Sequence, residues 1–215
     1  MELKGTSREA LLDYLCRQLD TFFPDGVSCR GEIERCLDEG LARVGHCIDG
    51  VKMWEKGRFD YLHSTQYTLF LYYLANTLWR AGGDPRVCAK LFYLNKTLNG
   101  IDLFYEIEMP KVFFIGHSVG IVLAKAIYGE FLVLYQNSTV GKNHGVAPVL
   151  GEGVILYPNS AVIGRSRLGD RSFVSQGVTV LNTDTPGACC VYQGPGGTVV
   201  TKPPKHDILA DFFRL

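Results

Sequence analysis

The chain has 215 residues, enough for one domain or two small ones with a sizeable core. Hydrophobic residues make up 47% and charged residues 20%, which excludes a disordered or fibrous chain. Lysine plus arginine (22) cancels aspartate plus glutamate (22), so no basic face is implied and nucleic acid is not an expected partner.

In chain order, the first hundred residues read as helices. Ser7-Arg8-Glu9-Ala10 opens a segment with Leu11, Leu12, Leu15, Leu19 and Phe22 at helical steps, and Pro24-Asp25-Gly26 ends it with turn chemistry. Gly31–Cys47 repeats the pattern. Thr65–Arg80 is apolar nearly all round, as a helix buried between others would be. Asp84-Pro85 caps and starts a last helix that closes at Asn99-Gly100. No apolar run approaches the ~20 residues that span a bilayer, and the N-terminus lacks an apolar signal core. A cytoplasmic protein with no membrane partner is expected.

After Gly100 the helical period stops and seven of the nine prolines follow. Counting by six from Leu103 gives Leu103, Met109, Ile115, Ile121, Ile127, Val133 and Thr139. From Leu150 it gives Leu150, Leu156, Val162, Leu168, Val174 and Val180, with slim Val154, Ser160, Ser166, Ser172 and Val178 four places on. One large and one slim inward residue per six predicts a narrow solenoid with short flat faces. The two blocks are out of phase, so Gly141–Val149 is expected to leave the coil as a flexible polar loop carrying binding groups. Seven cysteines (Cys16, Cys29, Cys36, Cys47, Cys88, Cys189, Cys190) show no framework or metal spacing, and neither disulfides nor a metal site are expected.

Helices followed by a hexapeptide coil, Ile101-Asp102-Leu103, and His117-Ser118-Val119-Gly120-Ile121-Val122 fifteen residues after Asp102, resemble the serine O-acetyltransferases. Gln136-Asn137-Ser138-Thr139-Val140-Gly141 and Gly151-Glu152-Gly153-Val154 extend the resemblance, which runs from about Phe59 to Lys202. It implies an α+β chain: an α-helical domain over 1–100, a left-handed parallel β-helix over 101–202, and a C-terminal tail over 203–215. It also implies a homotrimer with sites between subunits, a possible pairing of trimers through the helices, and acetyl-CoA as acyl donor. In the family the pantetheine arm lies between coils, which corresponds here to Tyr157, Pro158, Ser175 and Gln176. Gln193–Gly197 falls near the adenine, with Lys202 and Lys205 near the CoA phosphates.

The chemistry fits those residues. An attacking hydroxyl must lose its proton as the bond to the thioester carbon forms, and imidazole titrates nearest to neutral pH. His117 is the candidate base and Asp102 the carboxylate that would orient it. Backbone N–H groups at Gly141 and Lys142 are candidate oxyanion donors. Gln136, His144 and Gly116 are candidate acceptor contacts, while His46, His63 and His206 are assigned to structure or surface.

Two departures bear on the acceptor. The family has Asp immediately before the histidine where Gly116 stands, and Arg-His where Val146-Ala147 precedes Pro148. Both losses remove grips on a zwitterion. Free serine could be held differently, with His144 or Glu106, Glu108 or Asp49 substituting; otherwise the acceptor is a sugar hydroxyl or a masked or tethered alcohol. A nucleotide-sugar amine, or a degenerate scaffold without turnover, are the alternatives. The apolar tail Asp207–Leu215 is expected to pack within the trimer; family members hand such a tail to cysteine synthase, but theirs ends in Ile and this one in Leu.

Overall fold

A computed structural model describes Met1–Leu215 throughout. Four helices come first: α1 (Arg8–Phe22), α2 (Arg30–Gly50), α3 (Ser64–Arg80) and α4 (Pro85–Asn99). Their ends follow local chemistry. Ser7 accepts from the Ala10 amide at 3.1 Å, Asp84 accepts from Arg86 at 2.8 Å ahead of Pro85, and Gly100 closes α4 in the left-handed region at φ 65°. Every residue of α3 from Thr65 to Leu78 is buried, because α2 and α4 flank it and the solenoid closes over it. A short parallel pair, Glu2–Leu3 with Arg58–Phe59, ties the N-terminus to the α2–α3 connection; two-residue strands carry too little pattern to be read from sequence.

From Asp102 the chain winds through about five turns of a parallel solenoid with three faces. The first face stacks Asp102–Leu103, Val122–Leu123, Thr139–Gly141, Ala161–Ile163 and Thr179–Leu181. The second stacks Phe113–Ile115, Leu132–Leu134, Ile155–Leu156, Ser172–Val174 and Cys189–Gln193, and the third Ile127–Tyr128, Val149–Leu150 and Arg167–Leu168. Register puts one column of large residues inside each face. The columns are Leu103-Leu123-Val140-Val162-Val180, Ile115-Leu134-Leu156-Val174-Val191 and Tyr128-Leu150-Leu168, all buried.

The six-residue count holds for the second block and slips in the first. Leu150 through Val180 face inward as expected, and the slim Val154, Ser160, Ser166, Ser172 and Val178 are buried beside them. In the first block Leu103 and Ile115 face inward on the count, but after them Leu123, Tyr128, Leu134 and Val140 do so. Ile127 is instead 64% exposed and Thr139 lies at the surface of its face. The steps Ile115–Leu123 and Leu123–Tyr128 span eight and five residues, so a wide corner at 116–121 is followed by a tight one. Val133 is buried although it points outward, in register with Phe114 and Ile155.

The C-terminal tail packs on its own chain. Phe212 meets Phe114 at 5.8 Å between ring centres and Phe213 meets Phe131 at 5.3 Å. Val51 pairs antiparallel with Phe213, and Arg214 donates to the carbonyls of Asp49, Val51, Lys52 and Trp54 at the end of α2. Leu209, Phe212 and Phe213 are buried, and one apolar core of 59 residues runs from α1 through the solenoid to this tail. No helix is long and apolar enough to cross a membrane.

Candidate active site

The corner between the second and first faces collects most of the expected site residues. Its turns are Gly116–Gly120, Tyr135–Ser138, Tyr157–Ser160 and Ser175–Val178, stacked coil on coil. Backbone bonds lock them in register: Gly116 N–H to Leu134 C=O (2.8 Å), Tyr135 to Leu156 (3.0 Å), Tyr157 to Val174 (3.0 Å) and Ser175 to Val191 (3.0 Å). Each turn needs one residue in the left-handed region, and Gly120, Asn137, Asn159 and Gly177 supply it (φ 76°, 58°, 62° and 72°). His117, Gln136, Tyr157, Pro158, Ser175 and Gln176 therefore lie along one edge.

His117 is exposed at the top of this edge and makes no hydrogen bond within the chain. Its turn is fixed from below, where Ser118 donates to the Asn99 carbonyl at 2.6 Å and Gly120 N–H to Gly100 at 2.9 Å. Asp102 sits on the adjoining coil, paired with Val122. Its carboxylate is held by Lys96 of α4 at 2.6 Å, and no hydrogen bond joins it to His117. The corner thus brings the two residues to neighbouring coils and leaves the carboxylate on a lysine that sequence reasoning passed over. Lys96 lies on α4, outside the motifs, so no spacing signal marks it.

Position 116 is closed by an aromatic ring. A Cβ built there lies 2.5 Å from the ring of Tyr135. That ring is stacked on Tyr157 (5.7 Å, 11° between planes) and meets Phe212 edge-on. Burial pushes the pKa of both Tyr135 and Tyr157 above the ordinary tyrosine value, so their hydroxyls stay protonated near neutral pH and remain donors. Gln136 Oε1 is buried and has no hydrogen-bond partner, an orphaned acceptor on the same edge.

Gly141, Lys142 and His144 lie elsewhere, at the corner between the first and third faces. The segment leaves the coil as a defined turn. Asn143 and Val146 exchange backbone hydrogen bonds at 3.0 Å in both directions, with His144 (φ 47°) and Gly145 (φ 81°) as the two turn residues. This is a type I′ hairpin, for which Asn143 and Gly145 are suitable flanking and turn residues. His144 projects at its tip, exposed. The Lys142 amide N–H donates to no group of its own chain. Within one chain these three residues stand across the first face from His117.

Gln193–Gly197 forms the turn of an antiparallel hairpin, Cys189–Gln193 with Val199–Lys202, that ends the solenoid. Gln193 Nε2 donates to the carbonyls of Gly197 and Thr198, and Lys202 lies over the Tyr192 ring at 5.8 Å.

A helical domain leading into a parallel solenoid, with a hairpin ejected at one corner, is the left-handed β-helix fold. Within that fold its likeness is to the serine acetyltransferases. Over 132 residues the sequence is 27% identical to the serine acetyltransferase of Mycobacterium tuberculosis, taking in 59% of this chain and 56% of that protein. The chain thus matches little more than half the length of this curated relative. A serine acetyltransferase from Brucella abortus superposes with a TM-score of 0.71 at 18% identity, covering 94% of this chain and 86% of that one. A serine acetyltransferase in complex with CoA superposes at 0.70, also at 18% identity, covering 92% and 86%. These superpositions establish the fold. No family model matches the chain.

Proposed function

We propose that this protein is an acetyl-CoA-dependent O-acyltransferase in which His117 is the general base. The observation that carries the reading is the single edge on which His117, Gln136, Tyr157-Pro158 and Ser175-Gln176 stack in register. The fold of a serine acetyltransferase bound to CoA supports it. The pantetheine arm lies along that edge toward His117, and the wall of Tyr157 and Pro158 excludes water from the thioester.

In the reaction, the imidazole takes the proton of the acceptor hydroxyl as its oxygen attacks the thioester carbonyl, and the proton passes on to the departing CoA thiolate. Asp102 orients the imidazole once its carboxylate leaves Lys96, a half-exposed and long side chain that can swing away. The oxyanion is stabilised by the unpaired Lys142 N–H. Because that group stands across the first face from His117, a second copy of the chain supplies it, and the working assembly is a homotrimer in the cytoplasm. Exposed Val122 and Leu181 on the first face and Ile127 on the third fit burial between copies.

The acceptor is an alcohol without a free ammonium group, a sugar hydroxyl or a masked serine. Tyr135 fills the space beside His117 in which a carboxylate at position 116 would meet an ammonium, which favours this over free serine. Thiol release from acetyl-CoA, measured against L-serine, N-acylated serine, simple and nucleotide-linked sugars and amino sugars, tests the reading. Turnover on serine alone overturns the acceptor assignment; absence of CoA binding overturns the reading as a whole and favours a scaffold.

A further inference from the structure

A cavity lies away from this edge. It has a volume of about 620 Å³ and opens where α2 and α3 meet the first two coils. That is within the range of pockets that hold small organic ligands. Its floor is apolar and rigid. Tyr73 donates to the carbonyls of Pro110 and Lys111 (3.2 and 3.1 Å), Tyr128 donates to Ala124 (2.6 Å), and Met109 N–H is held by Tyr72 at 3.0 Å. The tyrosine hydroxyls are thus consumed, leaving ring faces and the Met109-Pro110 surface toward the cavity.

Its rim carries three cations, Arg43, Arg80 and Lys111, against two carboxylates, Glu108 and Glu130. Arg43 lies over the Tyr73 ring at 4.9 Å and uses one terminal nitrogen on Thr77 Oγ1 (2.8 Å) and the Tyr73 carbonyl (3.4 Å). No carboxylate pairs with it, and its other two nitrogens are free. The Lys111 ammonium also has no partner, and His46, one turn along α2 from Arg43, completes the rim. Two carboxylates are present, but neither neutralises Arg43 or Lys111 by direct contact. Glu130 spends both oxygens on the amides of Lys111 and Val112 (3.0 and 3.1 Å), and Glu108 stands 4.0 Å from Arg80.

A half-buried guanidinium with spare donors, backed by an aromatic floor, is the chemistry of anion recognition. We propose that this cavity is a second binding site, for a small organic anion whose carboxylate or phosphate meets Arg43, Lys111 and Arg80 and whose flat or apolar body lies on Tyr73, Met109 and Tyr128. It is formed at the second-to-third-face corner and across the helix junction, distinct from the His117 edge. A ligand there would bridge the helices and the solenoid.

Titration calorimetry of the full chain with phenyl phosphate and benzoate, and with phenol as the uncharged control, tests this site. Both anions are expected to bind and phenol not to; the stronger anion identifies the headgroup. Binding should weaken as NaCl is raised and persist with CoA saturating. Arg80→Gln combined with Lys111→Gln, both at the rim, should weaken it at least tenfold with an unchanged thermal midpoint. If the double variant is itself unstable, the salt dependence and CoA-insensitivity of the parent protein decide. Equal binding of phenol, displacement by CoA, or an unaltered affinity in a folded double variant overturns the proposal.

Discussion

The ring of Tyr135 occupies the space a side chain at position 116 needs, at 2.5 Å from the Cβ such a side chain would carry. The two positions are linked by the fold: Ile115 pairs with Leu134 and the Gly116 N–H bonds the Leu134 carbonyl, so position 116 is in register with Tyr135 in the next coil. The ring has little room to yield, being stacked on Tyr157 and met edge-on by Phe212. Gly116→Asp should therefore destabilise the protein by ~1–3 kcal/mol through overpacking. Pairing it with Tyr135→Ala should recover part of that loss and raise turnover with L-serine relative to the parent. Urea midpoints and serine-dependent thiol release check both halves.

His117→Ala should lower turnover by about 10²–10⁴, the usual contribution of a positioned base. CoA affinity should stay near the parent value, since the residues assigned to the pantetheine arm lie on later coils. Single-turnover kinetics and CoA titration separate the two. Equal turnover in the variant would remove the proposed mechanism.

Lys96 offers a second handle on the base. Its ammonium lies 2.6 Å from Asp102, on the coil next to His117. An imidazole oriented by a free carboxylate is the better base. Lys96→Ala should thus free Asp102 and raise kcat, whereas Asp102→Asn should lower it. A kcat unchanged in both variants would separate Asp102 from the reaction.

Those residues show how much of the molecule is legible in its sequence. The helices are, because caps such as Ser7 and Asp84 and the Gly100 terminator act locally. The solenoid is too, since an inward residue every six positions is demanded by its narrow cross-section, and Leu150–Val180 obeys that count. The slip between Ile115 and Tyr128 is hidden because outward Ile127 and Val133 are as apolar as inward residues; one is left exposed and the other is buried. His117, Gln136, Tyr157 and Ser175 share an edge because the repeat puts them there, and the same register sets Gly116 beside Tyr135. Lys96 beside Asp102 comes from packing between elements, which no spacing in the chain encodes.

The buried thiols and phenols set an alkaline limit. Burial raises Cys47 and Cys88 from the ordinary thiol value of 9.0 to about 11, and pushes Tyr67, Tyr72 and Tyr128 up as well. In the unfolded chain these groups release protons near their ordinary values, so above that point the unfolded state binds fewer protons than the folded one. Stability is then full below about pH 9, falls as pH rises through 9–11 for the thiols, and continues to fall above 10 for the phenols. Cys47, enclosed against Phe113, should account for on the order of 2 kcal/mol of that loss. Cys47→Ala, whatever its effect at neutral pH, should flatten the decline between pH 9 and 11 in urea titrations; an unchanged slope would mean that the thiol ionises freely.

The tail connects stability to the edge bearing His117. Phe213 is buried against Phe131, and Phe212 bridges Phe114 to Tyr135, whose ring covers Gly116. Phe213→Ala should cost ~3–5 kcal/mol as a core truncation. Arg214→Ala leaves the carbonyls at the end of α2 without their donors but keeps the rings, and should be milder. Deleting residues 207–215 uncovers Phe114 and Phe131 and frees Tyr135 on one side. The truncated protein should show a lower urea midpoint and a raised KM for the acceptor with CoA affinity little changed. A partner protein that took this tail would have to strip it from α2 and the second face first, so its binding should be slow and should expose the same apolar surface to a hydrophobic dye. Rapid tail capture without dye binding would show that these contacts are not kept in solution.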